Sequence, residues 1–120
     1  MSDEQAQRAE RLTTASRLIG QVTVLALTGA IDHDSVGHFA QGLAAIQGPA
    51  PKRIVVDFTQ VTFMDSTGIN VLVSTYRALQ GSDGWIRVAG AAEGVLRVIQ
   101  IVGVDTVIPC YSALEQALEA

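Results

Sequence analysis

The chain has 120 residues, enough for one hydrophobic core, and 48% of them are apolar, which argues for a packed globule rather than a disordered chain. Its formal net charge is −4, Lys52 is the only lysine and the arginines are scattered singly, so it lacks the basic stripe that nucleic acid demands. A lone cysteine, Cys110, excludes an internal disulfide and fits a reducing compartment, and no apolar run nears the roughly 20 residues that span a bilayer.

Residues 1–11 read as a flexible tail, and Asp3, Glu4 and Glu10 make that start unlike a signal peptide. The domain is therefore expected over 12–120, in a cytoplasmic protein that binds neither nucleic acid nor membrane. Leu12 to Arg17 carries a weak strand signal; after a turn at Gly20, Val22–Thr28 carries a stronger one, and the two suggest a hairpin. Gly29–Ser35 reads as a loop into a helix capped by Asp34 or Ser35. Val36, Phe39, Ala40, Leu43 and Ile46 give that helix its apolar stripe, and Gly48-Pro49-Ala50-Pro51 stops it.

Ile54–Phe58, short, apolar and β-branched, reads as a buried strand. Beyond it Ile69, Leu72, Val73, Tyr76 and Leu79 recur at helical spacing, predicting a helix from Ser66 or Thr67 to about Gln80. A turn at Gly81–Gly84, a strand over Trp85–Ala89 and a helix from Ala92 to about Val102 follow, with Gly103 closing the helix. Val107–Tyr111 reads as a short edge strand because of Pro109. Ser112–Glu115 has the form of a capping box for a last helix ending near Glu119. The order β-β-α-β-α-β-α-β-α implies a single α/β domain, a mixed and largely parallel sheet with about four helices packed against it.

The most informative stretch is the join between the third strand and the second helix, Asp65-Ser66-Thr67-Gly68. Hydroxyls at a helix start are good caps, and unpaired N–H groups with the positive helix end also suit a phosphate. At about 100° per residue, Ile69, Leu72, Val73 and Tyr76 face the sheet while Thr67, Asn70, Val71 and Ser74 fall on the other side. Asp57 could be a phosphoacceptor, but the lysine expected after a late strand is absent, and a structural acid bonding nearby loop backbone fits better. The resemblance of Asp65–Gly68 to an aspartic-protease motif fails on the extra residue between acid and glycine. Asp32, His33, Asp34 and His38 read as a solvated loop and helix start rather than a metal site. Met64 and Cys110 read as core. No phosphate loop, cysteine pair or nucleophile elbow is present, so neither catalysis nor a cofactor is expected.

With these residues in view, the chain resembles a STAS domain, specifically a bacterial anti-anti-sigma factor (anti-sigma factor antagonist). The resemblance rests on Thr28-Gly29-Ala30-Ile31-Asp32, Val55-Val56-Asp57-Phe58 and Phe63-Met64-Asp65-Ser66-Thr67-Gly68-Ile69, and runs from about Leu12 to Leu118. It implies that Ser66, with Thr67 as second choice, is phosphorylated by a partner that is both anti-sigma factor and serine kinase, and that a phosphatase resets it. It further implies a partner surface that includes Asp32, His33, Asp65, Thr67, Gly68, Asn70, Val71 and Ser74. The chain departs from the family pattern at Ala30, where an acid is usual, and at Asn70, where glycine is usual. Those departures keep a second expectation in play, a STAS adaptor never phosphorylated and held in a larger complex such as a lipid or solute transport system.

Overall fold

The computed structural model describes residues 12–47 and 51–120; the expected tail over 1–11 lies outside them, as do Gly48, Pro49 and Ala50 of the expected helix stop. Five strands form one sheet in the order β1-β2-β3-β4-β5: β1 (Thr13–Ile19), β2 (Val22–Ile31), β3 (Arg53–Met64), β4 (Trp85–Ala89) and β5 (Cys110–Tyr111). The helices are α1 (Val36–Ala44), α2 (Ser66–Leu79), α3 (Glu93–Ile101) and α4 (Leu114–Glu119). The β1–β2 pair is antiparallel and the other three pairs are parallel. This is the mixed, largely parallel α/β architecture that the order of elements predicts. Among the described residues no helix is long and apolar enough to cross a membrane.

The sheet is buried on both faces where it matters. Leu25, Leu27, Val56 and Phe58 pack with Phe39 and Leu43 of α1, Leu72 of α2 and Ile99 of α3. On the opposite face Val24, Val55 and Ala89 pack with Ala117 of α4. Adjacent strand residues therefore point into two different cores, which is why Ile54–Val56 is a continuous apolar run rather than an alternating one. Arg87 reaches over the Trp85 ring, 3.6 Å from its centroid, and donates to the Ala117 carbonyl at 2.9 Å, tying α4 to β4.

Two strands run further than their apolar segments. β2 continues through Gly29–Ile31, the stretch expected to be loop, and β3 continues six residues past Phe58 to Met64. The reason lies in two register shifts, where Ala26↔Asp57 gives way to Thr28↔Gln60 and Gly29↔Val61 to Ala30↔Phe63. Each shift puts an extra residue on β3 and breaks the period-2 pattern, so Val61 and Met64 are both buried although three residues apart. Asp57 secures the first shift by accepting the Thr59 N–H at 3.0 Å and its hydroxyl at 2.6 Å, a bond within its own strand rather than to a loop. Gly29, with φ 116°, takes the backbone of the second.

Smaller differences follow the same logic of local competition. β1 extends to Ile19, because pairing with Val22 continues to the turn. Ala40 is exposed rather than core. β5 keeps only Cys110 and Tyr111, since Val107 ends a 3-10 turn over Val104–Thr106. The capping box at Ser112 is shifted by one: Gln116, not Glu115, accepts the Ser112 N–H at 3.2 Å and its hydroxyl at 2.8 Å, and the helix opens at Leu114.

Candidate functional site

The extended ends of β2 and β3 bring two polar turns side by side. Ile31 pairs with Met64, and the next backbone N–H, that of Asp65, donates to the Ile31 carbonyl at 3.1 Å. The chain then turns into α2. The cap is Asp65, not a hydroxyl of Ser66 or Thr67: its backbone is extended and its Oδ1 accepts the Thr67 N–H at 2.9 Å. The Thr67 hydroxyl donates to the same oxygen. That hydroxyl, assisted by the Thr67 backbone N–H, holds the Asp65 carboxyl below the usual carboxylate range against a smaller opposing effect of desolvation. Ser66 is the first residue of α2 and is exposed. Its hydroxyl is left on the surface because the acid before it has taken the capping role.

Gly68 is buried beneath this turn. A Cβ there would lie 2.6 Å from Met64 Cγ and Sδ and 3.0 Å from Ile31 Cγ2. The glycine therefore lets the first turn of α2 sit directly on the ends of β2 and β3, which positions Ser66 without itself facing out.

The neighbouring β2–α1 turn is tied by its own residues. Asp32 Oδ1 accepts the N–H groups of Asp34 and Ser35, both at 3.0 Å. Ser35 stands at the N-cap of α1, yet its hydroxyl turns back to donate to the Ala30 carbonyl at 2.7 Å and accepts the Asp32 N–H at 3.0 Å. Asp34 caps nothing with its side chain; it lies 3.3 Å from His33 Nε2, and both are exposed. Among the described residues no group of three or more His, Cys, Asp or Glu is gathered as a metal site.

Along α2, Asn70 and Ser74 are exposed and Val71 half-buried, while Ile69 and Leu72 are buried against the sheet, as the periodicity predicts. Asn70, Val71 and Ser74 form one wall of a groove of about 450 Å³, whose other wall is Ala40, Leu43 and Ala44 of α1 and whose lower end holds Lys52. The contribution of α1 was not readable from the sequence, since Ala40 fits a core stripe as well as a groove wall. Phe63 was also missed: it is 51% exposed and pairs laterally with Ala30, two residues before Asp65. Its sequence signal is its place at the head of the Phe63–Ile69 motif that carries the family resemblance. Cys110 is half-buried, and burial, with Asp105 adding to it, pushes its thiol up to about 11, so it is an unreactive thiol at neutral pH.

A five-stranded mixed sheet with a capped, hydroxyl-bearing turn between β3 and the next helix defines a single α/β domain. Residues 14–109 match the family described as "Mlab, STAS domain", and the chain belongs to the STAS-domain family. It is 28% identical over 75 residues to the anti-sigma-B factor antagonist of Staphylococcus aureus, covering 62% of this chain and 69% of that one. It is 26% identical over 98 residues to the anti-sigma F factor antagonist of Paenibacillus polymyxa, covering 81% of this chain and 84% of that one. Among solved structures, an anti-sigma factor antagonist from Mycobacterium paratuberculosis superposes with a TM-score of 0.83 at 28% identity, over 92% of this chain and 93% of the other.

Proposed function

We propose that this chain is an anti-sigma factor antagonist whose binding surface is switched by phosphorylation of Ser66. The observation that carries the reading is the division of labour at the start of α2. Asp65 caps the helix, Thr67 is bound to Asp65, and the Ser66 hydroxyl stands exposed beside the Asn70–Val71–Ser74 surface. The names of the relatives from Staphylococcus aureus and Paenibacillus polymyxa support the same class of partner, an anti-sigma factor.

The unphosphorylated surface is uncharged over Asn70, Val71 and Ser74 and slightly apolar, so an anti-sigma factor with serine kinase activity docks there with little desolvation and releases its sigma factor. Phosphorylation adds about −1.5 to −2 charges at Ser66. Two effects then compete. The N–H groups and dipole of α2 favour the phosphate by roughly 0.3–1 kcal/mol. Asp65 alongside, and a partner surface fitted to a neutral hydroxyl, oppose it; an unpaired charge buried at an interface costs several kcal/mol, and each ~1.4 kcal/mol is tenfold in affinity. The complex dissociates while the fold survives, and a phosphatase restores the binding form. The domain is a binding module of a cytoplasmic regulatory circuit, with no turnover of its own.

Phosphosite mapping tests the proposal. The protein and its Ser66→Ala variant are incubated with host lysate and Mg-ATP and analysed by mass spectrometry. One phosphoryl group on Ser66, absent from the variant, is expected. No phosphate on Ser66 or Thr67 in a lysate with proven kinase activity overturns the switch in favour of a constitutive STAS adaptor.

A further inference from the structure

The two edges of the sheet are built differently. At one edge β5 has two residues and follows Pro109, which has no N–H to offer, so another strand gains little there. At the other edge β1 has seven residues, every one exposed, and among the described residues no strand lies outside it. Its register with β2 runs unbroken from Thr13↔Thr28 to Ile19↔Val22, so no bulge twists the edge away. It also lacks the lysine and proline that commonly guard exposed edges, while Leu18 and Ile19 are 61% and 38% exposed.

We propose that β1 pairs antiparallel with β1 of a second copy, joining two sheets into one across a two-fold axis at Ser16. Charge selects this edge as the meeting place. The chain carries a formal −4, yet residues 12–31 hold no acid and only one charged side chain, Arg17. Two copies with the same net negative charge meet here without setting acid against acid across the paired strands.

The pleat then selects the register. Thr14 faces α1, since a Cβ on Gly42 would lie 3.3 Å from it. A two-fold perpendicular to the sheet keeps the helices of both copies on one side, so each residue must oppose one of its own face. Centring on Ser16 satisfies this and pairs all seven residues: Thr13 with Ile19, Thr14 with Leu18, Ala15 with Arg17 and Ser16 with its equivalent. Centring on Arg17 sets two guanidinium groups opposite each other, whereas the Ser16 register brings two hydroxyls together. Seven residues at about 3.4 Å each make a contact only ~24 Å long, so the dimer is weak and its dissociation constant micromolar.

Sedimentation equilibrium over roughly 5–500 µM, a range that brackets such an affinity, tests this. The wild-type mass is expected to rise from 12.7 kDa toward twice that value. Ser16→Lys places two cations face to face and holds the mass at the monomer throughout, with circular dichroism and Tm unchanged because the position is exposed. Ala15→Glu faces Arg17 of the other copy and tightens association several-fold, a readout specific to this register. A wild-type protein that stays monomeric to the highest concentration overturns the proposal. So does a dimer indifferent to Ser16→Lys, which places the contact elsewhere, for instance at the exposed Ile101, Val102 and Val107.

Discussion

Two turns at the same end of the sheet use the same residues for different ends. In the β2–α1 turn Asp32 accepts two backbone N–H groups and Ser35 follows; in the β3–α2 turn Asp65 accepts the Thr67 N–H and Ser66 follows at once. The spacing decides what becomes of the serine. Three residues after its aspartate, Ser35 reaches back to the Ala30 carbonyl and is only 8% exposed. One residue after its aspartate, Ser66 points out of the first turn and is exposed. An aspartate that satisfies the helix start leaves the adjacent hydroxyl exposed, and an aspartate further back draws the hydroxyl into the fold. A hydroxyl at a helix start thus reveals its role through the bond it makes, not through its residue type.

The comparison breaks most sharply under charge. Ser66→Asp should weaken binding to the proposed anti-sigma factor partner by about a hundredfold or more, following the several kcal/mol of an uncompensated interfacial charge, with Tm within about 2 °C of wild type. Isothermal titration and a thermal melt on the same samples check both halves. Next in size is Gly68→Ala, whose added methyl collides with Met64 under the Ser66 turn. Overpacking of this kind costs about 1–3 kcal/mol, seen as a Tm lower by several degrees.

Ser35→Ala should cost about 1–2 kcal/mol in urea unfolding, because it strands the Ala30 carbonyl and the Asp32 N–H in a half-buried turn. Ser66→Ala in the same experiment should change stability by less than about 0.5 kcal/mol. Equal costs for the two serines would erase the distinction drawn between the turns. The smallest effect concerns acid. Asp65 has its folded pKa depressed below the ordinary 3.8, so its contribution is complete above that value and is lost as pH falls through the lower, folded one. Stability of Asp65→Asn, measured from pH 6 down to about pH 3, should therefore fall less steeply with acid than that of wild type.

Much of this was legible in residue pattern. The 3.6-residue repeat of Ile69, Leu72, Val73 and Tyr76 reported α2 and its buried side, because a helix face is a local property of consecutive residues. Gly103 closed α3 as expected, since a glycine in the left-handed region, φ 78°, is again a local preference. The Asp65–Gly68 motif marked the boundary between β3 and α2 for the same reason.

What remained hidden depended on partners distant in the chain. Residues 59–64 do not alternate, because two bulges set against β2 break the period, so no window of β3 alone shows that it runs to Met64. Gly68 is demanded by Met64 and Ile31 together, and the second of these comes from another strand. The groove beside Ser74 exists because α1 lies across from α2. Sequence by itself determined the order of elements, the inward faces of the helices and the residue types at the α2 start, all set by backbone preference and periodicity over a few residues. Tertiary structure alone decided where the strands end, which side chain caps α2 and which hydroxyl stays free, because those outcomes follow from hydrogen-bond competition and close packing between segments that only folding brings together.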